Sequence, residues 1–305
     1  MLENRSVYLN GEFVPWDRAT VHVMSHSFGR GSAVFEVLSC HSTTEGPAVF
    51  RLDRHVERLF RTMKLVGASL KLSREELSRA VLEAVSRNNI REGFIKVVGY
   101  YSNPAFEILP PKEPLDLAIF AVDPKEDLGG MGFPLEEGTT ACVSKWRKLH
   151  PETVPVEAKA AANYLNGMMA RVEARDKGYE HVIMLDTQGF VAEGGTESLF
   201  LVRDGVLMTP ALGTVLRSIT RLSVLEAAQR EGIPAREVRV ATEELYGAEE
   251  LFFSGTPHKV LPVRQVDEHN LSPVPGPVSK RLSEVFIEIL AGRDHRFKDW
   301  LFPVD

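Results

Sequence analysis

One lysine stands out among the residues that could do chemistry, because nearly all its neighbours are small. Lys159 lies in the segment EAKAAANYL, where alanines surround it. Small side chains leave room for a bulky planar group beside the amine. A lysine withdrawn from water has a lowered pKa and becomes a nucleophile able to form a Schiff base. Taken by itself, the segment favours a simpler interpretation, a surface lysine on an alanine-rich helix.

A second candidate is a carboxylate beside a tight turn. Glu193 precedes two glycines in VAEGGTESLF, and a predicted strand follows them. A backbone without Cβ atoms lets another group come close. A carboxylate at such a place could pair with a pyridinium nitrogen and keep the ring able to accept electrons. An ordinary Gly-Gly turn with solvated acids is the alternative.

Two further segments could bind an anion. In LRSITRLSV, Ser218 is a good N-cap, so the amides of Ile219 and Thr220 would begin a helix. Helix N-termini bind phosphate through unpaired N–H groups and the helix dipole. In FFSGTPHK, an apolar strand ends at Ser-Gly-Thr and would present hydroxyls and amides. The simpler alternatives are a cap that serves only its own helix and a plain turn.

Metal and nucleotide chemistry have little support. His22 and His26 stand four residues apart, but in a turn-like context without a third ligand, so we predict no metal site. Neither a GxGxxG motif after a strand nor a P-loop motif occurs. Cys142 lies in an apolar predicted strand and is interpreted as structural.

The elements that must position these residues mix strand and helix patterns. Asn10-Gly11 between two apolar stretches predicts a hairpin. From Asp53 the apolar residues follow a helical spacing that ends at Gly67, and Ser73 with Glu76 forms a capping-box pattern that begins a second helix. Further strands are predicted at residues 31–40, 47–52, 94–101 and 115–122. This part of the chain is α+β.

The remaining residues also mix the two patterns. A helix is predicted across residues 157–176 and would carry Lys159. Other helices begin after Ser218, after Thr242 and near Val278. Strands are predicted at residues 139–144, 181–185, 198–202, 205–208, 237–240 and 250–255.

The length predicts two domains, because 305 residues and 34.0 kDa exceed what one core usually organises. Residues 123–134 are rich in glycine, proline and charge, and we interpret them as an interdomain linker. The predicted domains are a small α+β domain over residues 1–122 and a large domain over residues 135–305.

Composition and charge exclude several classes of protein. With 44% hydrophobic and 26% charged residues, wholesale disorder is excluded. A net charge of -6 and a pI near 5.9 disfavour a general nucleic-acid binder. No apolar run approaches the roughly 20 residues that span a bilayer, no signal-peptide pattern opens the chain, and the two cysteines do not suggest a disulfide framework. We therefore predict a cytoplasmic protein that binds neither membrane nor nucleic acid.

The order and spacing of five segments are far more specific than any segment alone. VHVMSHSFGRGSAVFE, TVPVEAKAAANYLNG, EGGTESLF, GTVLRSITR and FSGT follow one another along the chain. Together they resemble class IV (fold type IV) pyridoxal 5'-phosphate (PLP)-dependent aminotransferases, most closely the branched-chain amino-acid aminotransferases. The resemblance runs from about residue 7 to residue 290. It implies a two-domain α/β (α+β) fold like that of D-amino-acid aminotransferase, with the large domain binding PLP.

The resemblance implies a role for each matching residue. Lys159 matches the lysine that binds PLP covalently and then moves the substrate proton. Tyr164 matches the tyrosine that hydrogen-bonds the phenolic oxygen of PLP, and Glu193 matches the carboxylate that faces the pyridine nitrogen. Four residues match the phosphate ligands, namely Arg58 by its guanidinium, Ile219 and Thr220 by helix amides, and Thr256 by its hydroxyl. A dianionic phosphate prefers such donors.

The same resemblance implies a reaction and an assembly. The reaction would move an amino group between a small apolar, branched-chain L-amino acid and a 2-oxo acid such as 2-oxoglutarate. The assembly would be a homodimer whose subunits share the active site.

Several positions expected to face the substrate depart from the branched-chain pattern. Arg30 stands where tyrosine is usual, Ser39 where arginine is usual, and Lys96 ends a Phe-Ile-Lys step where Tyr-Ile-Arg is common. Pro257, at the end of FSGTP, has no N–H to offer a carboxylate. We assign Arg30, Phe35 and Lys96 to substrate binding and leave open how the α-carboxylate is held.

The relocated arginine leaves other interpretations open. Arg30 or Lys96 could bind the α-carboxylate in a different place, and exchanging the carboxylate and side-chain pockets can invert the accepted enantiomer. A D-amino-acid transaminase is therefore the alternative, followed by a PLP lyase of the aminodeoxychorismate type, which shares the fold. A non-catalytic PLP-binding protein is disfavoured, because the full set of matching cofactor residues is present.

Overall fold

The structure is a computed structural model that describes residues 2–130 and 137–304. Its internal contacts divide it into two compact units. The first unit comprises the described residues of Met1–Met131, Ala158–Ala162 and Glu288–Asp305, and the second those of Gly132–Glu157 and Asn163–Ile287. The segment that carries Lys159 therefore belongs to the first unit, whereas its neighbours in sequence belong to the second.

The strands run through both units. In chain order they are β1 (Ser6–Leu9), β2 (Glu12–Pro15), β3 (Val34–Thr43), β4 (Gly46–Phe50), β5 (Gly93–Tyr100), β6 (Asp116–Val122), β7 (Thr139–Arg147), β8 (His181–Leu185), β9 (Val191–Gly194), β10 (Ser198–Arg203), β11 (Val206–Pro210), β12 (Ala235–Val238), β13 (Glu250–Ser254), β14 (Leu261–Val266), β15 (His269–Asn270) and β16 (Leu301–Pro303).

The helices fall between the strands. They are α1 (His26–Arg30), α2 (Leu52–Leu65), α3 (Arg74–Arg87), α4 (Pro124–Asp127), α5 (Tyr164–Asp176), α6 (Ile219–Arg230), α7 (Thr242–Tyr246) and α8 (Pro277–Leu290), with short 3₁₀ turns at Leu2–Asn4, Trp16–Arg18, Ala161–Asn163 and His295–Trp300. None of the helices described is long and apolar enough to cross a membrane.

The first unit is built on an antiparallel sheet. Its described strands are ordered β16-β4-β3-β5-β6-β1-β2. The predicted hairpin joins β1 to β2, and Asn10 takes a φ of 51° and Gly11 a φ of 105°, values that the asparagine-glycine pair tolerates well. Helices α2 and α3 pack on one face of this sheet and bury an apolar core with it.

Alternation along β3 decides which residues meet that core. Val34, Glu36 and Leu38 are buried on the helix side, whereas Phe35 and Val37 lie on the opposite, half-buried face. On β5, Val98 pairs with Phe35 and Lys96 pairs with Val37, so Lys96 shares the face of Phe35. A carboxylate, Glu36, is therefore placed toward an apolar core and needs partners there.

The second unit is built on a mixed sheet. Its described strands are ordered β12-β11-β10-β13-β14-β7-β8-β9, with β15 beside β14. The pairs β7/β8, β7/β14 and β11/β12 are parallel. Helix α5 connects β7 to β8 and α6 connects β11 to β12, as parallel neighbours require a crossover. These connections place the starts of α5 and α6 after strand ends, where functional residues commonly lie.

Most predicted elements are confirmed, including the α2 helix and the capping box in which Ser73 and Glu76 hydrogen-bond each other's backbone. The predicted helix over residues 157–176 is wrong at its start, because α5 begins only at Tyr164. The strand predicted at residues 237–240 is shifted, since β12 spans Ala235–Val238. The predicted linker, residues 123–134, begins with α4, and its residues 131–134 lie outside the described residues.

Candidate active site

The Lys159 segment lies against the start of β3 in an extended conformation. Val34 and Ala160 form an antiparallel bridge, flanked by hydrogen bonds from the Phe35 N–H to the Lys159 carbonyl (3.0 Å) and from the Ala161 N–H to the Ala33 carbonyl (2.8 Å). The alanine-rich helix that the composition favoured is absent at Lys159. Backbone pairing with β3 has overridden helix propensity, which is a weak preference wherever tertiary contacts compete.

The amine of Lys159 lies over an aromatic ring. The residue is 9% exposed, so the interpretation as a surface lysine is wrong. Its Nζ is 4.7 Å from the centroid of the Phe35 ring, and Nζ of Lys96 is 5.7 Å from the same centroid. Phe35, assigned to substrate binding from the sequence, is thus brought next to Lys159 within the first unit, and Lys96, assigned likewise, lies near the same ring.

Arg58 is held by a buried carboxylate that the sequence analysis did not single out. Its Nε and Nη2 donate to the two oxygens of Glu36 at 2.7 and 2.6 Å, and Nδ1 of His55 lies 2.7 Å from Oε2. Burial opposes ionisation of Glu36, but the cationic Arg58 and the hydrogen bonds outweigh it and lower the pKa of Glu36 to about 2. Since the ionised carboxylate only accepts, the His55 ring is the donor.

Arg30 occupies a different setting from Lys159 and Arg58. It ends α1, is exposed, and its Nη2 donates to the carbonyl of Phe106 at 3.0 Å. Ser39, at the position where arginine is usual, is buried on β3, and its Oγ lies 2.9 Å from Nε2 of His41.

In the second unit, Glu193 is paired with a lysine. Glu193 lies on β9, and its Oε1 is 2.6 Å from Nζ of Lys148, with the two side chains 10% and 14% exposed. Lys148 follows β7 directly, and its N–H donates to the Leu185 carbonyl at 2.8 Å, which fixes its backbone. One carboxylate oxygen of Glu193 is thereby engaged, and the position of the carboxylate is set by a neighbouring strand end.

The two glycines after Glu193 are required by close packing. A Cβ on Gly194 would lie 2.9 Å from Oε2 of Glu197, and one on Gly195 would lie 2.7 Å from Cγ of Arg171. A Cβ on Gly167 in α5 would lie 2.2 Å from the Gly195 carbonyl oxygen. Within the second unit, helix α5 therefore packs closely against this turn. The alternative of an ordinary, solvated Gly-Gly turn does not hold here.

A buried carboxylate, Glu197, lies at the same turn and is surrounded by cationic and imidazole side chains. Oε1 of Glu197 is 3.1 Å from Nη1 of Arg171 and 3.7 Å from Nδ1 of His181, and Oε2 accepts the Thr196 N–H. Charge attraction from His181 and Arg171 lowers the pKa of Glu197 despite burial. Burial lowers the pKa of His258, which also faces this carboxylate, to about 4.

The predicted phosphate segment does begin a helix. Ser218 caps α6, accepting the Arg221 N–H at 3.2 Å, and Ile219 and Thr220 are the first two helical residues. In an α-helix the first N–H groups have no partner within the helix. Because the cap serves Arg221, the amides of Ile219 and Thr220 are the ones that helix geometry leaves to an anion.

Thr256 lies in a turn that a buried lysine braces. The Gly255 N–H donates to the His258 carbonyl, and Nζ of Lys259 donates to the Thr256 carbonyl, both at 2.9 Å. Burial lowers the pKa of Lys259 to about 7. Pro257 is at the exposed tip of this turn.

The predicted site residues thus fall into two groups. The first unit carries Arg30, Phe35, Arg58, Lys96 and Lys159, and the second carries Tyr164, at the first position of α5, with Glu193, Ile219, Thr220 and Thr256. Sequence reasoning missed Glu36, His55, Lys148 and Lys259. Glu36 had a usable signal, because it is an acid at a core-facing position of an otherwise apolar strand. His55 and Lys148 had none, since their partners are distant in sequence. Lys259 bonds to a carbonyl only three residues away, but its burial depends on the tertiary structure.

Comparison with protein families identifies a match over most of the chain. The model of the amino-transferase class IV family matches residues 33–266. A branched-chain-amino-acid aminotransferase of Salmonella typhimurium is 36% identical over 301 residues, which cover 98% of this chain and 97% of that protein.

Solved structures agree closely with this fold. A branched-chain aminotransferase from Thermoproteus uzoniensis, crystallised with norvaline, has a TM-score of 0.93 and 38% identity over 99% of both chains. A branched-chain amino acid aminotransferase from Thermobaculum terrenum, in its PLP-form, has a TM-score of 0.90 and 30% identity over 100% of both chains.

Proposed function

We propose that this chain, which belongs to the class IV aminotransferase family, moves the amino group of a branched-chain L-amino acid to a 2-oxo acid such as 2-oxoglutarate. The chain is an aminotransferase, and its cofactor is PLP. The observation that carries the substrate proposal is the similarity, over nearly the whole chain, to relatives that bear the branched-chain name. The D-amino-acid and lyase alternatives are not favoured.

The residues present fit the cofactor by their chemistry. The first unit offers a buried amine at Lys159 and a buried guanidinium at Arg58. The second offers a buried carboxylate at Glu193 and the N-terminal amides of α6. An aldehyde, a phosphate and a pyridine nitrogen are the partners that such groups prefer. We therefore propose these residues, with Tyr164 and the hydroxyl of Thr256, as the PLP ligands.

Each side chain then has a defined task. PLP supplies an aldehyde that condenses with amines and a ring that takes up the electron pair released when the Cα–H bond of the substrate breaks. With the cofactor and substrate bound, Lys159 would act as the base that removes the Cα proton and later returns it. Glu193 keeps a proton on the ring nitrogen, and Lys148 holds its carboxylate in place.

The substrate side is assigned to three residues of the first unit. Phe35 supplies an apolar wall beside the Lys159 amine, which suits an aliphatic side chain. Lys96 places a second cation near the same ring and is the proposed partner of a substrate carboxylate. Arg30 is bound to a loop carbonyl and is proposed as a secondary carboxylate contact.

We further propose a homodimer with a shared active site, located in the cytoplasm. Two observations support the dimer. Exposed apolar side chains cluster in two adjacent loops of the first unit, and Leu165, Met168 and Met169 form an exposed apolar stripe on α5. Exposed apolar patches of this kind mark protein interfaces.

The cysteines support the proposed location in the cytoplasm. Cys40 and Cys142 are both buried and form no disulfide, as a reducing compartment favours.

The absorbance spectrum of the purified protein tests the substrate assignment. Excess L-leucine should abolish the band of lysine-bound cofactor, and D-alanine in a parallel cuvette should not. A Lys159→Ala variant should lose amino transfer by a factor of roughly 10³ or more. Loss of the band with D-alanine alone would contradict the L-amino-acid proposal, and pyruvate release without any amino acceptor would indicate a lyase.

A further inference from the structure

We propose that Thr62 is a positioning residue that sets Lys159 in register with Arg58, so that α2 determines the spacing between the lysine and the phosphate-binding arginine. The inference rests on the proposed function, in which these two side chains bind the same cofactor.

The backbone of Lys159 is bound on two sides. On one side its carbonyl accepts the Phe35 N–H from β3 at 3.0 Å. On the other side its N–H donates to Oγ1 of Thr62 on α2 at 3.1 Å. The Cα of Lys159, and therefore the origin of its side chain, is fixed between a strand and a helix.

Thr62 is placed for this task by helix geometry. It follows Arg58 by four residues, so the two side chains lie on the same face of α2, one turn apart. Arg58 is in turn fastened to β3 through both oxygens of Glu36. Helix α2 thus connects two groups through short, buried contacts, a guanidinium at one turn and the peptide of Lys159 at the next.

Apolar packing alone does not explain why a threonine occupies this buried position. Thr62 is 0% exposed, and valine would fill the same volume without a hydroxyl to satisfy. Replacing it by valine leaves the Lys159 N–H buried without its acceptor, which costs more than the bond itself contributes. The segment would escape that penalty by moving, and only a fraction of molecules would then present the amine correctly.

Attachment of PLP measures this fraction directly. The amine nitrogen of Lys159 forms a C=N bond to the aldehyde carbon, and the aldehyde oxygen leaves as water. If a tenth of the molecules are competent, the PLP concentration at half attachment rises tenfold. Apoprotein is titrated with PLP, the C=N bond is trapped by borohydride reduction, and the modified Lys159 peptide is quantified by mass spectrometry.

Three variants separate positioning from plain destabilisation. Thr62→Val should raise the PLP concentration at half attachment by roughly tenfold. Thr62→Ser keeps the acceptor and should restore a value close to wild type. Thr209→Val is the matched control, because Thr209 is equally buried and its hydroxyl donates to the Leu199 carbonyl in the second unit. That control should lose stability without changing attachment.

The proposal is overturned if Thr62→Val attaches PLP like wild type, or if Thr62→Ser is as impaired as Thr62→Val. Equal effects of Thr62→Val and Thr209→Val on attachment would also overturn it, since they would reflect stability alone. The assay contains no amino donor or acceptor. Its outcome is therefore independent of whether the substrate assignment is right.

Discussion

At the scale of single residues, the ionisable groups of the site are buried next to opposite charges or hydrogen-bond partners. Glu36 is ionised in an apolar core because Arg58 and His55 satisfy its oxygens. Glu193 is paired with Lys148 at 2.6 Å. These contacts hold the charged side chains in one position and orientation. A charge held in this way stabilises a reacting group without having to reorganise during the reaction.

A variant of Arg30 tests whether the protein acts on L- or on D-amino acids. If Arg30 is a secondary contact, Arg30→Ala should lower kcat/KM for L-leucine by less than about tenfold, since an exposed charge contributes little. The same variant should not improve the rate with D-alanine. Steady-state kinetics with both enantiomers measure this. A large loss confined to D-substrates would assign the α-carboxylate to Arg30 and contradict the L-amino-acid proposal.

Lys259 predicts a pH dependence of stability. Burial lowers its folded-state pKa to about 7, whereas the unfolded chain has the ordinary 10.5. Between these values the unfolded chain binds more protons, so the free energy of unfolding rises with pH through this group. Lys259→Met should remove that rise. Denaturant unfolding is measured at intervals between pH 7 and pH 9.5. The free energy of unfolding of wild type, relative to that of the variant, should increase over this interval.

The control for this experiment is Lys280→Met, which changes an exposed lysine of the same unit. Its stability should run parallel to wild type across the same pH interval. Parallel curves for Lys259→Met as well would mean that Lys259 is not withdrawn from water.

At the scale of elements, close backbone approach explains the glycines near Glu193. Helix α5 crosses the turn that follows β9 with Gly167 against the Gly195 carbonyl. The turn holds Glu193 at one end and Glu197 at the other. The contact therefore relates the start of α5, where Tyr164 lies, to the carboxylate proposed to face the ring nitrogen.

Gly167→Ala should disturb this contact. A Cβ at 2.2 Å from a carbonyl oxygen forces α5 or the turn to shift, and overpacking of this kind costs roughly 1–3 kcal/mol or more. Thermal unfolding should show the loss, and PLP affinity should fall with it. Gly247→Ala is the matched control, because a Cβ there meets nothing within 4 Å and its φ of -101° suits alanine. Equal melting temperatures for both variants would contradict the packing argument.

At the scale of the whole molecule, exposed apolar surface predicts assembly. Two loops of the first unit lie side by side, joined by a hydrogen bond from the Ala105 N–H to the Met24 carbonyl and by Nε2 of His26, 3.2 Å from the Ile108 carbonyl. Together with Phe28 of α1, they form a patch of exposed apolar side chains, several of which are exposed by more than two thirds: Val21, Val23, Met24, Phe28, Phe106, Ile108 and Leu109. Leaving so many neighbouring apolar side chains in water is unfavourable in free energy, so we expect a partner to cover them.

The dimer proposal places this patch at an interface. Light scattering should give twice the 34.0 kDa chain mass for wild type. The double variant Phe106→Asp, Ile108→Asp should raise the dissociation constant by roughly 10²-fold or more, because each buried apolar side chain contributes about 1.5–3 kcal/mol. Ile287→Asp, at an exposed apolar position on α8, should leave the dimer intact. A wild-type monomer would contradict the proposal.

The sequence by itself determined the elements whose signals are local. The Asn10-Gly11 hairpin, the capping box of Ser73 and Glu76 and the start of α6 after Ser218 each depend on residues within one turn of each other, and all three are present. The family, the enzyme class and the cofactor could also be predicted from the sequence, because five short segments occur in the order that is specific to the family.

Tertiary structure alone decided the features that depend on distant partners. The setting of Lys159 is the clearest, since local composition predicted a helix, whereas pairing with β3 and the Thr62 hydroxyl hold it extended. The partners of Arg58 and Glu193 come from other parts of the chain, Glu36 on β3 being 22 residues from Arg58 and Lys148 lying just after β7. Local propensity amounts to tenths of a kcal/mol per residue, and a buried N–H without an acceptor costs more, so the distant contact prevails.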